Sequence, residues 1–191
     1  MVRNTFKSLG KFKVLTFDCY GTLIDWETGI WDAFQPLIMR NTGSELTPDK
    51  VLEAFADTAD ALRFLKTRFK LVILSNVNRE GFSASRRKLG VDFDAVYTAE
   101  DIGTYKPDPG NFQYLLTRLR EDHGLEKADI LHTAQSLFHD HIPAQKFGLA
   151  TAWINRQRLS ETGKWGATAR LDEVPETEFL FHSMAEMAAA V

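Results

Sequence analysis

Short apolar runs alternate with amphipathic stretches along most of the chain. Five runs have the length and composition of buried strands, and polar residues or glycine follow most of them. Because the runs are apolar throughout rather than alternating, we expect helices to cover both faces of the sheet they form. The predicted strands span residues 13–17, 71–74, 93–97, 130–133 and 149–154.

Amphipathic stretches lie between these runs and predict helices. Apolar side chains recur at helical spacing, and Gly90 and Gly124 stand where a glycine would end a helix. Strands that alternate with helices predict an α/β fold with a doubly wound parallel sheet. The predicted helices span residues 57–69, 79–89, 109–123, 140–147 and 183–191.

One change in composition lies between the first strand and the first helix. Pro36, Gly43 and Pro48 interrupt two short helical stretches over residues 30–39 and 48–55. We interpret residues 27–55 as a truncated α-helical cap, and residues 1–26 and 56–191 as the α/β core domain.

The composition excludes several classes of function. The 191 residues are 44% hydrophobic and 26% charged, as in an ordinary globular protein, and the net charge of −3 favours neither nucleic acid nor an anionic membrane. No apolar run approaches the ~20 residues of a membrane span, and the start of the chain does not read as a secretory signal. A single cysteine excludes an internal disulfide. We therefore expect a cytoplasmic protein.

Candidate chemistry follows the predicted strands. Asp18 comes after the first strand, Ser75 and Asn76 after the second, Lys106 in the loop after the third, and residues 135–140 after the fourth. The carboxyl ends of parallel strands meet at one edge of a sheet, where such folds bind their ligands. We expect these groups to converge there.

These segments resemble the four motifs of the haloacid dehalogenase superfamily. The sequence is most similar to the type II, L-2-haloacid dehalogenase branch, and the resemblance spans nearly the whole chain. It implies a Rossmann-like core with an α-helical cap inserted between the first and second motifs. The motifs are F-D-C-Y-G-T-L at 17–23, L-S-N at 74–76, Y-K-P-D-P at 105–109 and A-Q-S-L-F-H-D at 134–140.

The resemblance also implies a role for each site residue. It names Asp18 as a nucleophile that forms a covalent ester, a reaction open to an ionised carboxylate. Lys106 would keep Asp18 charged, and Asp140 would position or deprotonate the water that cleaves the ester. Thr22 and Ser75 complete the predicted catalytic group, and the predicted substrate-binding residues are Tyr20, Asn76, Cys19 and Ser136.

Two positions separate a dehalogenase from a phosphatase. Magnesium phosphatases of the superfamily have a first motif similar to D-x-D-G-T, and Tyr20 occupies the position of its second acid. Gln135 stands where those enzymes carry a magnesium-binding acid. A phenol with a pKa of ~10 protonates a leaving group poorly, whereas a halide leaves without a proton. We favour hydrolytic dehalogenation of a small 2-haloacid, with no required cofactor; a phosphatase would need Mg²⁺.

Other features leave alternatives open. Leu137 and Phe112 occupy positions where the L-2-haloacid dehalogenases that this chain resembles carry asparagine and tyrosine. The identity of the substrate therefore stays open. Asp18 and Ser75 are 57 positions apart, too few for a complete cap, and we place the missing stretch near residues 55–56. The chain is alternatively an impaired binding protein, or a homodimer whose partner completes the cap through an apolar patch at Phe34, Leu37 and Ile38.

The histidines and tryptophans have simpler interpretations. His139 and His141 flank Asp140, but neighbouring positions at a helix start point in different directions and are not expected to share a metal ion. His132 has no partner that the sequence suggests. Trp26 and Trp31 are expected to line the pocket, and Trp153 is expected in the core; Trp165 has no assigned place.

Overall fold

The computed structural model describes residues 8–26, 29–30, 53–159, 169 and 171–191. The predicted cap remnant, residues 27–55, is therefore described only at 29–30 and 53–55. The apolar patch predicted at Phe34, Leu37 and Ile38 lies outside the described residues, as do Trp31 and Trp165.

A six-stranded parallel sheet forms the centre of the fold and confirms the predicted class. Its order is β5-β4-β1-β6-β7-β8, so β1 lies between β4 and β6, and each pairing is parallel. Two further strands, β2 and β3, form a separate antiparallel pair. The strands are β1 Val14–Phe17, β2 Ile24–Asp25, β3 Glu53–Ala54, β4 Lys70–Ser75, β5 Ala95–Thr98, β6 Ile130–Ala134, β7 Ala150–Ile154 and β8 Phe179–Phe181.

Helices connect the strands largely where the amphipathic stretches predict them. Asn78 caps the start of the helix Arg79–Leu89 by accepting from the Gly81 N–H, and Gly90, with a φ of 60°, caps its end. The described helices are α1 Thr58–Lys66, α2 Arg79–Leu89, α3 Ala99–Ile102, α4 Pro109–His123, α5 Ile142–Lys146 and α6 Met184–Ala189. Two 3₁₀ turns, Leu9–Lys11 and Lys127–Asp129, and a π-helical turn, Leu137–His141, complete them.

Both faces of the sheet are buried, as the continuous apolar runs predict. On one face, Leu15 and Ile73 pack in a cluster with side chains of α1, α2 and α6. On the other face, Val14 and Leu74 pack with side chains of α4 and α5. Neighbouring residues of β1 thus enter opposite cores, because successive side chains of a strand point to opposite faces.

The structure corrects two predicted elements and adds a strand. The strand β8 was not predicted, and it extends the sheet beyond β7. The helix predicted over 48–55 is wrong at its end, because Glu53–Ala54 pairs with Ile24–Asp25 as a strand. The helix predicted over 140–147 begins instead as the π-helical turn, so Asp140 lies inside that turn and Ser136 caps it. No helix in the described ranges has the length and apolar character needed to cross a membrane.

Candidate active site

The loop after β1 places Asp18 at the carboxyl edge of the sheet. The Asp18 N–H donates to the Thr133 carbonyl at 3.1 Å, which continues the β1–β6 ladder by one residue. Gly21 then reverses the chain with a φ of 85°, a left-handed conformation that a side chain would strain. The reversal brings the Thr22 hydroxyl back to donate to Asp18 Oδ2 at 3.0 Å. Thr22 is fixed in turn by the Gln135 N–H, which donates to its Oγ1 at 2.8 Å.

The loop before α4 places the Lys106 ammonium against the Asp18 carboxylate. The Asn76 side chain grips the Lys106 backbone, accepting from its N–H at 2.6 Å and donating to its carbonyl at 2.9 Å. The ammonium then donates to three oxygens: Asp18 Oδ1 at 2.9 Å, the Leu74 carbonyl at 2.9 Å and Asp140 Oδ1 at 2.6 Å. An ammonium has three hydrogens, so Lys106 is fully engaged and rigidly placed.

The π-helical turn after β6 supplies the second carboxylate. Asp140 Oδ1 accepts from Lys106 and also lies 3.0 Å from His132 Nε2. Asp140 Oδ2 is buried and has no hydrogen-bond partner within the described residues. His141 anchors the turn, since its Nε2 donates to the Ala134 carbonyl of β6 at 2.9 Å.

The electrostatics of the two carboxylates differ. Burial raises the pKa of Asp18, and the Lys106 ammonium and Thr22 hydroxyl only partly offset it. Burial alone would also raise the pKa of Asp140, but Lys106 and His132 hold it well below its usual value. Burial opposes the charge on Lys106, yet Asp140 and Asp18 together raise its pKa. The site therefore holds a lasting positive charge between two carboxylates.

A cleft of about 230 Å³ opens over these groups. Most of the predicted site residues line it, together with Gln135, His139 and the predicted pocket wall Trp26. The Ser75 hydroxyl is buried and has no hydrogen-bond partner in the described part of the chain, so it is available to a ligand. The predicted site residues in the lining are Asp18, Tyr20, Ser75, Asn76, Lys106, Ser136 and Asp140.

Two predicted site residues lie outside the lining. Thr22 is completely buried behind Asp18 and contacts it directly. Cys19 is completely buried among core side chains, on the opposite side of the chain from Asp18. The Cys19 thiol therefore does not reach the cleft, because alternation along the extended chain turns it into the core.

Tyr20 contributes a ring rather than an acid. Its hydroxyl lies 3.0 Å from the Ser85 hydroxyl of α2, and burial raises its pKa to about 12. Trp153 lies in the core as expected, and its indole N–H donates to the Gln135 carbonyl at 3.0 Å. The cleft therefore has aromatic walls at Tyr20 and Trp26.

Sequence reasoning missed His132. It lies on β6 opposite Thr16 of β1, completely buried, and contacts both Thr16 and Asp140. The available signal was a polar residue inside each of two adjacent apolar strands. Burying a polar side chain costs free energy unless it is hydrogen-bonded, so these two residues indicate a buried hydrogen-bond partner.

The donor set around the cleft is poor in metal ligands. No three His, Cys, Asp or Glu side chains of the described residues form a group that would hold a metal ion. Gln135 contributes an amide to the cleft at the position where the phosphatase motif carries an acid. Amides bind hard dications less well than carboxylates.

Comparison with known proteins agrees with these observations. A family model for haloacid dehalogenase-like hydrolases matches residues 43–132. The chain is 35% identical over 111 residues to (S)-2-haloacid dehalogenase 4A of Burkholderia cepacia, covering 56% of this chain and 46% of that protein. It is 31% identical over 140 residues to (S)-2-haloacid dehalogenase of Pseudomonas putida, covering 72% and 56%. The matches thus span about half the length of these curated relatives.

A solved structure shares the fold. The L-2-haloacid dehalogenase from Xanthobacter autotrophicus superimposes with a TM-score of 0.69 at 18% identity, over 93% of this chain and 97% of that one. The matched family model, the curated relatives and the shared fold point in one direction. The chain is similar to the haloacid dehalogenase-like hydrolases, and in particular to (S)-2-haloacid dehalogenases.

Proposed function

We propose that the protein hydrolyses small 2-haloacids through a covalent ester on Asp18. The observation that carries this proposal is the position of that carboxylate in the cleft, together with its hydrogen bonds. Asp18 lines the cleft with Oδ1 bound to Lys106 and Oδ2 bound to Thr22. Beside it, Tyr20 offers a wall whose hydroxyl is bound to Ser85, where a phosphatase needs an acid.

In the first step, an Asp18 oxygen attacks the carbon that bears the halogen. A carbon–oxygen bond forms, the carbon–halogen bond breaks, and the halide leaves with the bonding electrons. Lys106 and Thr22 hold the carboxylate in one orientation, which removes the entropic cost of aligning it during reaction. The Ser75 hydroxyl, which has no partner within the described residues, is a donor for the carboxylate of the substrate.

In the second step, water cleaves the ester. Water attacks the carbonyl carbon of the esterified Asp18, and Asp140 accepts a proton from it through Oδ2. The tetrahedral intermediate expels the hydroxy acid oxygen, which takes up a proton, and the Asp18 carboxylate is restored. One haloacid and one water thus give one hydroxy acid, one halide and one proton.

These steps require no metal ion. The halide leaves without protonation, and Lys106 already supplies the positive charge beside both carboxylates. The Mg²⁺-dependent phosphatase alternative needs the two acids that Tyr20 and Gln135 replace. We therefore propose a reaction without a cofactor on a small organic acid.

The ribbon of β2 and β3 supports the assignment of residues 27–55 to a cap remnant. Ile24–Asp25 and Glu53–Ala54 pair where the chain leaves the core and returns to it. Arg156 connects this return point to the nucleophile loop. Its guanidinium stacks on Phe55, 3.8 Å from the ring centroid, and Nε donates to the Thr22 carbonyl at 2.9 Å.

Halide release tests the proposed function. The wild-type protein and Asp18→Asn are incubated with 2-chloropropionate and with chloroacetate in the presence of a chelator. We expect release by the wild type and its loss in Asp18→Asn, with both proteins equally folded by circular dichroism. Undiminished release by Asp18→Asn would overturn the covalent mechanism. Magnesium-dependent hydrolysis of phosphate esters without halide release would make the protein a phosphatase, and neither activity would favour the binding protein.

A further inference from the structure

One buried histidine contacts the site without reaching the cleft. His132 is completely buried, and it is absent from the cleft lining. Its ring packs edge-on against Phe112, with the centroids 5.1 Å apart at 83°. A side chain enclosed in this way touches neither substrate nor water in the cleft, so any effect on the reaction acts through a neighbour.

Hydrogen bonding identifies that neighbour. His132 Nε2 lies 3.0 Å from Asp140 Oδ1, and Nδ1 lies 2.8 Å from Thr16 Oγ1. An ionised carboxylate only accepts hydrogen bonds, so Nε2 carries a proton and donates it to Asp140. Thr16 satisfies the other nitrogen with its hydroxyl, as donor or as acceptor. The imidazole is thus fixed at both ends and presents one N–H to Asp140.

The two donors of Asp140 converge on the same oxygen. Lys106 and His132 both donate to Oδ1, whereas Oδ2 has no partner within the described residues. A buried acceptor without a donor indicates a site for water or a ligand. Two donors on one oxygen also fix the plane of the carboxylate, because rotation about its bond to Cβ would break both bonds.

We propose that His132 is a positioning residue for ester hydrolysis, which holds Asp140 by Oδ1 so that Oδ2 receives the proton of the attacking water. The inference rests on the role of Asp140 in the proposed function. Lys106 alone does not set this orientation, since it bonds Asp18 as well and changes partner charge when Asp18 becomes an ester. His132 contacts Asp140 but not Asp18, so its bond persists through both steps.

Two amide substitutions separate positioning from packing. In His132→Gln, the amide nitrogen reaches the place of Nε2 and can still donate to Asp140. In His132→Asn, the shorter amide reaches only the place of Nδ1, towards Thr16. Both replace a buried ring by an amide of smaller volume, so lost packing alone would slow both chemical steps in each variant. His132→Phe keeps the ring volume without a donor and serves if His132→Asn fails to fold.

The measurement follows the two chemical steps separately. Rapid mixing with 2-chloropropionate gives halide release in the first turnover, and intact-protein mass spectrometry gives the fraction of protein carrying the ester. We expect first-turnover halide release in His132→Asn within about threefold of the wild type. Ester hydrolysis should slow about 10- to 100-fold, as expected when a charge-assisted hydrogen bond is lost. The ester accumulates, so kcat and KM fall together, and His132→Gln restores hydrolysis to within about fivefold.

The outcomes distinguish this inference from the proposed function. If His132→Asn and His132→Gln hydrolyse the ester equally well, the positioning role is overturned while the covalent mechanism stands. The same holds if the first-turnover halide release falls as far as ester hydrolysis. If the wild-type protein forms no ester on Asp18, the proposed function fails, and the role of His132 fails with it.

Discussion

The two carboxylates that share the Lys106 ammonium lie in contrasting surroundings. Asp18 follows β1 in a loop, lines the cleft with 7% of its surface exposed, and has Thr22 as its second donor. Asp140 lies in the π-helical turn after β6, with 1% exposed and His132 as its second donor. Burial raises the pKa of Asp18, whereas Lys106 and His132 overcome burial and lower that of Asp140.

One ammonium stabilises the charges of the two carboxylates unequally. A single ammonium does not neutralise two carboxylates, so the one with the stronger donors keeps its charge at lower pH. The other carboxylate is more basic, and when ionised it is the better electron-pair donor. Pairs of acids with pKa values pushed apart are a mark of divided roles. The asymmetry therefore supports Asp18 as the group that attacks carbon and Asp140 as the group held in place beside it.

Removing the shared cation should have the largest effect. Lys106→Met leaves two buried carboxylates without their common partner, so the pKa of Asp18 rises further. We expect halide release at pH 7 to fall roughly 10³-fold or more. The acid limb of its pH profile should move to higher pH, because a raised pKa means that Asp18 is protonated at pH values where the wild type is ionised.

The control for Lys106 is Lys127→Met, a change in an exposed lysine at the opposite end of β6. It should leave both the rate and the profile unchanged. An acid limb that stays in place in Lys106→Met would contradict the view that the ammonium sets the charge of Asp18. Halide release across pH 4–9 is the measurement.

Asp140→Asn should separate the two carboxylates in kinetics. The amide retains the size of the carboxylate but accepts a proton from water poorly, so ester hydrolysis should slow about 10²–10³-fold. Alkylation of Asp18 should change much less, and mass spectrometry should show the ester accumulating. Asp129→Asn, a change in an acid paired with Lys13 outside the cleft, is the control. Equal loss in both steps would show that Asp140 acts on the nucleophile itself.

The buried His141 that anchors the π-helical turn should make the free energy of unfolding depend on pH in acid. Burial lowers the pKa of His141 to about 4 from an ordinary 6.5, so the folded state holds this imidazole neutral. The unfolded chain binds a proton first as pH falls, so the stabilisation is complete above pH 6.5 and is lost by about pH 4. The free energy of unfolding should therefore fall by about 3 kcal/mol across this window.

Urea unfolding of the wild type and His141→Gln at several pH values measures this loss. The glutamine can keep the hydrogen bond to the Ala134 carbonyl without titrating, so its stability should depend less on pH. His123→Gln, at the end of α4, should retain the wild-type dependence. The same dependence in the wild type and His141→Gln would show that another group controls the acid response.

Signals confined to one stretch of sequence predicted most of the fold. Each of the five predicted strands is found, with ends shifted by a few residues, because a short run rich in apolar residues indicates burial without reference to a partner. Gly90 and Gly124 end helices as expected, with positive φ. The motif residues also converge on one edge, since parallel topology alone brings the carboxyl ends of strands together.

Features that depend on distant partners were not predictable. The strand β8 is three residues long and is defined by its pairing with β7, and β3 by its pairing with β2, almost thirty residues earlier. The π-helical turn depends on the hydrogen bond of His141 to Ala134, which the helical periodicity does not contain. The link from His132 to Asp140 needs the turn to fold back onto β6. The catalytic roles themselves stay predictions.

The smallest effect is expected at Tyr20, in the nucleophile loop. Its hydroxyl is bound to Ser85 and its pKa is raised to about 12 by burial, so the phenol holds its proton and takes no part in the departure of a halide. Tyr20→Phe keeps the aromatic wall and should change kcat for halide release less than about threefold. Stability should fall by about 1 kcal/mol with the lost hydrogen bond. Ser85→Ala removes the same bond from the other side, together with the bond from Ser85 to the Gly81 carbonyl, and it should match Tyr20→Phe in rate. A hundredfold or larger loss of kcat in Tyr20→Phe, not seen in Ser85→Ala, would contradict this. Tyr20 would then be a proton donor and a third acid of the site, beside Asp18 and Asp140.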